Sequence, residues 1–213
     1  MTDTSAVILA CENSKDFPDD KGTMMLCNKV LIRHVFDIIN PIVDEVIIVT
    51  NTQERADKYA KFLPKKTKFV IDSQSTYNSL SGVIAGFETA QSKYTLLLQY
   101  NSPFVSEKLA VFLLDLAIGK TAVVSRSPDN GIEPLCAVYQ TKIVLEVIKQ
   151  TMVDGVNTLH MLVERLRGVR YVSMSVIENF DPELQSFFSI NSQLDFKRAI
   201  RILQSKQKLF ENM

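Results

Sequence analysis

Along the chain, short continuous apolar runs alternate with stretches in which apolar residues recur at helical spacing. Ser5–Ala10 (SAVILA) is apolar almost throughout, as a strand covered on both faces of a parallel sheet must be. Val30–Ile39 (VLIRHVFDII) then places its apolar residues on one side of a helix and stops near Pro41. The pair of signals repeats. Strand Glu45–Thr50 precedes helix Gln53–Leu63, which ends at Pro64; strand Lys68–Ile71 precedes helix Ser79–Gln91. Strand Tyr94–Leu98 precedes helix Ser106–Ile118, with Ser106 as N-cap and Gly119 just past its end. Ala122–Ser125 and Leu135–Tyr139 are predicted strands, Thr141–Gln150 and Asn157–Arg167 helices, Val169–Ser175 a late strand and Ser192–Phe210 a terminal helix. Such alternation predicts an α/β fold, Rossmann-like, with a mostly parallel sheet, helices on both faces and right-handed crossovers. No repeat or Gly/Pro/Ser-rich linker interrupts it, so residues 1–213 are expected to form a single domain. Ligands of such sheets sit outside the carboxyl ends of the strands where strand order reverses. That rule singles out Cys11–Lys21 after the first strand and Gln99–Phe104 after the fourth.

Charge adds a constraint. Lys and Arg number 24 and Asp and Glu 24, so there is no global attraction for nucleic acid or an anionic membrane, and any anion site has to be local. Cys11, Cys27 and Cys136 match neither a disulfide framework nor a zinc site, which fits a reducing, cytoplasmic setting. The opening residues MTDTSAVILA lack the basic start and long apolar stretch of a signal peptide, and no apolar run approaches the ~18 residues of a membrane span. His34, on a helix among apolar residues, reads as structural, and His160 has no partner at metal-ligand spacing.

Seven segments in order carry more specific information. They are LACENSKDFPDDK (Leu9–Lys21), IIVTN ending at Asn51, Val70–Ile71–Asp72, LSGVIAGF (Leu80–Phe87), LLLQYNSPF (Leu96–Phe104), EPLCAVY (Glu133–Tyr139) and FFSINSQL (Phe187–Leu194). Together they resemble the molybdenum cofactor guanylyltransferases, whose corresponding patterns are LAGGxSxRMGxDK, a strand ending in Asn, a strand ending in Asp, LAGIxAGL, LLLxCDMPF, EPLCAVY and FxNINTPEDL. The resemblance spans nearly the whole chain and implies the nucleotide-diphospho-sugar transferase type of fold. It also implies transfer of GMP from GTP to the phosphate of molybdopterin, with release of pyrophosphate and with Mg2+ as cofactor. By the same resemblance Lys21 and Asn101 occupy catalytic positions. Leu9, Ala10, Cys11, Lys21, Asn51 and Asp72 line the nucleotide, with Lys21 toward phosphate and Asn51 toward guanine. Asn101 and Asn191 occupy the metal positions. A protein partner in cofactor assembly is a further expectation of the resemblance.

The first segment departs from the pattern. Cys11 and Glu12 stand for two glycines that permit φ > 0 and a close approach of backbone to phosphate, Asp16 stands for an arginine, and Pro18 removes an N–H donor. The charges from Glu12 to Lys21 sum to −2. Each reversed sign at ~4 Å from a phosphate is worth ~4 kcal/mol at an effective dielectric near 20. Asn101 stands for the family's metal aspartate and Ser189 for the first asparagine of its last motif. An amide oxygen carries no charge, whereas magnesium favours carboxylates and water. Cys11, beside an acidic residue, should have a raised pKa and is not expected to act as a nucleophile. Three function classes follow: an active guanylyltransferase; a catalytically degenerate nucleotide-binding or regulatory relative; and a cytidylyl- or sugar-nucleotide transferase of the same fold.

Overall fold

The structure, a computed structural model, describes residues 3–11, 16–17, 20–72 and 79–211. In chain order its elements are β1 (Thr4–Ala10), a 3-10 turn (Lys21–Thr23), β2 (Met25–Leu26), β3 (Lys29–Val30), α1 (Leu31–Ile39), β4 (Glu45–Thr50), α2 (Gln53–Ala60), β5 (Lys68–Ile71) and α3 (Ser79–Thr89). There follow β6 (Tyr94–Gln99), α4 (Glu107–Leu116), β7 (Ala122–Arg126), β8 (Ile132–Gln140), α5 (Thr141–Met152), α6 (Leu159–Arg165), β9 (Val169–Ser173), α7 (Met174–Ile177), a 3-10 turn (Gln185–Phe187) and α8 (Gln193–Glu211). Seven strands form one sheet in the order β5-β4-β1-β6-β8-β7-β9. β1 pairs in parallel with β4 and β6, β4 with β5, and β7 with β9. β8 alone runs antiparallel to both neighbours. The mostly parallel, helix-covered sheet expected from the alternation is therefore observed.

Side-chain alternation along the central strands explains the two helical layers. Ala6, Ile8, Val46, Ile48, Leu96 and Leu98 point to one face, where α1 and α4 lie. Val7, Ile47, Val49 and Leu97 point to the other, beneath α3, α5 and α6. A strand buried on both faces has no polar side, which is why these segments read as continuous apolar runs.

The approach of α3 to β1 depends on one glycine. A methyl group on Gly86 would lie 2.5 Å from Val7 Cγ1 and 3.2 Å from Val49 Cγ2, both buried beneath the helix. At Gly82, one turn earlier, it would meet Leu9, Cys11 and Asp72 at 3.4–3.8 Å, which is ordinary contact. Gly86→Ala is therefore expected to destabilise the protein by about 1–2 kcal/mol, the overpacking cost exceeding the ~1 kcal/mol gained in helix propensity. Gly82→Ala should not. Urea unfolding midpoints compare the two, and equal midpoints would show that α3 can move away from β1.

Three features departed from sequence expectation. The late strand ends at Ser173, and residues 174–177 turn into α7. Leu135–Tyr139 is part of a longer strand that carries a register shift opposite Val123–Ser125, with Cys136 at φ 58°. The Tyr139 hydroxyl closes this irregularity by donating to Pro134 O at 2.6 Å. The EPLCAVY segment is thus a buried, bulged strand, in which Cys136, Ala137, Val138 and Tyr139 are all core residues. The third feature is the small β2–β3 hairpin, turned at Cys27 (φ 56°) and held by His34 Nε2 on Leu26 O at 3.0 Å. Burial lowers the pKa of His34, in keeping with a structural role.

Candidate nucleotide crevice

Strand order reverses at β1: β4 and β5 lie on one side of it, and the chain returns to the other side as β6. The crevice expected there is bounded by the carboxyl ends of β1, β4 and β6. On the β6 side, Lys21, Asn101 and Asn191 converge. Asp20 caps the 3-10 turn by accepting from Gly22 N at 2.9 Å, and this aims the Lys21 side chain inward. Lys21 Nζ donates to Ile190 O at 3.1 Å and lies 5.6 and 5.7 Å from the ring centres of Phe17 and Tyr100. Only 3% of Lys21 is exposed, so it is no solvated surface charge. Phe17 in turn sets its ring edgewise on Phe196 of α8, with centroids 6.4 Å apart.

Asn101 holds the same carbonyl. Its Nδ2 donates to Ile190 O at 3.2 Å and to Asn191 Oδ1 at 2.9 Å, while Ile190 N donates to Asn101 O at 2.9 Å. A backbone carbonyl can only accept, so Ile190 O fixes which way the Asn101 amide points, and that in turn fixes Asn191. Asn101 Oδ1 is left buried without a hydrogen-bond partner among the described residues. Ser102 and Ser189 share a hydroxyl contact at 3.0 Å beside this knot. Asn191 N and Ser192 N both donate to Asp195 Oδ2, so that the carboxylate serves as part of a capping box at the start of α8.

On the β4 side, Cys11, Asn51 and Asp72 end three adjacent strands. Asp72 is buried, with Ser81 Oγ donating to its Oδ2 at 2.6 Å and its own N donating to Thr50 O at 2.7 Å. The Cys11 thiol donates to Val49 O at 3.4 Å. Burial, with the nearby Asp72 carboxylate adding to it, pushes the thiol pKa up to about 12. The inert cysteine expected from sequence is therefore supported, with Asp72 an acidic neighbour among the described residues. Leu9 and Ala10 turn their side chains into the two core layers and offer the crevice only backbone. Leu9 O accepts from Tyr100 N at 3.1 Å, and Ala10 O accepts from Arg55 Nη1 at 3.2 Å.

Two expectations about the first segment change. Cys11 is not among the residues with positive φ, so its backbone does not need the glycine found at that place in the resembling family. The Asp20 charge is also not left to act on a phosphate. Arg55 Nε binds Asp20 Oδ2 at 2.6 Å and the Tyr59 hydroxyl donates to Oδ1 at 2.6 Å. Arg55 lies outside Leu9–Lys21, so counting charge along that segment missed its partner. The readings placed on Glu12 and Pro18 lie outside the described residues. Arg55, Tyr59, Phe17, Tyr100 and Ser81 were not singled out from sequence. The spacing of Arg55 and Tyr59, four apart and so on one side of α2, was the only available signal.

The donor set tests the expected magnesium ion. Asn101 and Asn191 bring neutral amide oxygens, and Asn191 Oδ1 is already an acceptor for Asn101. The carboxylates of Asp20, Asp72 and Asp195 are engaged as described, and no group of three or more His, Cys, Asp or Glu among the described residues could hold a metal. These residues do not fit Mg2+, which favours anionic oxygens in octahedral geometry.

A sequence profile for the MobA-like NTP transferase domain matches residues 6–170. The chain belongs to that family. Within it, the chain is 29% identical over 195 residues to a probable molybdenum cofactor guanylyltransferase of Methanosarcina acetivorans, covering 89% of this chain and 86% of that protein. It is 28% identical over 200 residues to the molybdenum cofactor guanylyltransferase of Desulfosudis oleivorans, covering 93% and 95%. Among solved structures it superposes on molybdopterin-guanine dinucleotide biosynthesis protein A of Archaeoglobus fulgidus with TM-score 0.78 and 25% identity, covering 95% of this chain and 99% of that one. A 2-C-methyl-D-erythritol 4-phosphate cytidylyltransferase of Thermus thermophilus shares the fold at TM-score 0.70 and 16% identity. Among the described residues, no helix is long and apolar enough to cross a membrane.

Proposed function

We propose that this MobA-like protein binds GTP in the crevice between β1 and β6 and transfers its GMP moiety to the phosphate of molybdopterin. In that reaction an acceptor phosphate oxygen bonds to the α-phosphorus of GTP, the bond from that phosphorus to the bridging oxygen breaks, and pyrophosphate leaves. Lys21 supplies positive charge on the phosphate side. Asn51, Asp72 and the backbone of Leu9–Cys11 take the nucleoside side. The observation that carries this reading is that Lys21 and Asn101 both donate to the single carbonyl of Ile190, while the same Asn101 amide also holds Asn191 Oδ1. Positions drawn from three distant segments meet at the switch point, where this family's names call for a nucleotide.

A second reading has its own observation. Asn101 stands where a carboxylate would hold the metal, and it offers there only a neutral amide whose nitrogen is already used in the knot just described, which favours a protein that binds nucleotide without turning it over. Thermal shifts with GTP, CTP, ATP and UTP, followed by calorimetry and pyrophosphate release with molybdopterin, separate the readings. The first expects a shift with GTP above the others together with turnover, the second the shift alone. A response confined to CTP or UTP would move the assignment to a cytidylyl- or sugar-nucleotide transferase.

A further inference from the structure

We infer that Arg55 of α2 is the positioning residue of the nucleotide-binding segment, holding its two ends at a fixed separation. Its guanidinium reaches both ends at once: Nη1 donates to Ala10 O, at the end of β1, at 3.2 Å, and Nε donates to Asp20 Oδ2, just before Lys21, at 2.6 Å. Guanidinium is planar and carries donors in a rigid fork, so it fixes the distance between two acceptors in a way an ammonium cannot. The ion pair is sheltered, with side-chain exposures of 14% for Arg55 and 11% for Asp20. That shelter lifts it above the solvent-screened pairs that contribute little.

The rest of α2 reinforces the clamp. Thr52 Oγ1 caps the helix by accepting from Arg55 N at 3.2 Å, which sets where the arginine leaves the helix. Four residues on, the Tyr59 hydroxyl holds the second oxygen of Asp20 at 2.6 Å. Gly22 lies flat beneath that ring, since a methyl group there would come within 2.4 Å of the Tyr59 hydroxyl oxygen. Asp20 therefore has both carboxylate oxygens committed to α2 and one also to Gly22 N. Lys21 follows directly, so the clamp sets where its side chain begins.

This inference rests on the proposed use of the crevice for GTP, and the experiment keeps the two apart. Arg55→Gln and Arg55→Lys are compared in the full chain by hydrogen exchange of the peptide spanning Ala10–Gly22 without ligand, by global melting, and by GTP calorimetry. Both variants are expected to raise exchange in that peptide about tenfold and to weaken GTP about tenfold, with melting little changed, because lysine keeps the charge but cannot bridge two acceptors. Wild-type behaviour of Arg55→Lys would overturn the clamp in favour of a field effect. Increased exchange throughout the chain, with a fall in melting temperature to match, would overturn it in favour of a purely structural role. Should the parent protein fail to bind GTP, the proposed function falls. The exchange data still decide the clamp, with unchanged exchange of the Ala10–Gly22 peptide refuting it.

Discussion

Lys21→Met is expected to weaken GTP binding about 100-fold while leaving the melting temperature within about 3 °C of the parent value. The affinity loss follows from removing one charge-assisted contact to phosphate in a sheltered site, worth about 1.5–3 kcal/mol, where each 1.4 kcal/mol is tenfold. The near-constant stability follows from what the side chain leaves behind. Ile190 O keeps its donor from Asn101 Nδ2, so that carbonyl is not orphaned. A thioether of similar length sits well between the rings of Phe17 and Tyr100. Removal of a nearly buried cation also removes its desolvation cost, which offsets the lost contacts. Calorimetry and a thermal melt on the same sample check both halves. Unaltered GTP affinity would show that Lys21 serves only to pin Ile190 to Tyr100 and Phe17.

The arrangement behind that expectation could be read from sequence only in part. Periodicity was sufficient for the sheet because β1, β4 and β6 bury both faces: SAVILA, EVIIVT and YTLLL have no polar side to mislead. It was insufficient where backbone geometry does not follow residue type. Cys27 and Cys136 take positive φ without being glycine, and neither the hairpin at Cys27 nor the register shift at Cys136 leaves a trace in the apolar pattern. Α-helix α7 is four residues long, too short to show a period.

The site divides in the same way. Lys21, Asn101 and Asn191 could be named because each lies in an ordered motif, yet the atom that joins Lys21 to Asn101, the carbonyl of Ile190, belongs to the backbone and has no signature in sequence. Arg55 escaped notice because its partners, Ala10 and Asp20, lie 45 and 35 positions away. Charge counted along Leu9–Lys21 was a sound sum with the wrong boundary: electrostatics acts through space, and the helix that balances Asp20, α2, comes only after β2, β3, α1 and β4.

Asn101→Asp puts the same logic to a harder test. The new carboxylate would point acceptors at Ile190 O, which would keep its donor from Lys21 Nζ, and at Asn191 Oδ1, which would lose its donor from the Asn101 amide. Losing the amide's donations and adding like-signed oxygens should cost about 2 kcal/mol, or about 4–8 °C of melting temperature for a chain of this size, when measured with a chelator present. A divalent cation reverses the sign of the problem, since carboxylate, Asn191 Oδ1 and the adjacent carbonyl oxygen are all ligands that Mg2+ or Mn2+ accepts. A cation that binds only the folded state stabilises it by about 2.7 kcal/mol at 100 times its dissociation constant, enough to restore the lost stability. The variant is therefore expected to melt low in chelator and to recover in millimolar Mn2+, whereas the parent protein should show no cation response that depends on Asn101. If the variant melts like the parent in chelator, Asn101 does not hold Ile190 as described. If the parent binds Mn2+ and loses it on Asn101→Ala, the amide pair is itself a metal site, and the balance between an active enzyme and a degenerate relative shifts toward activity.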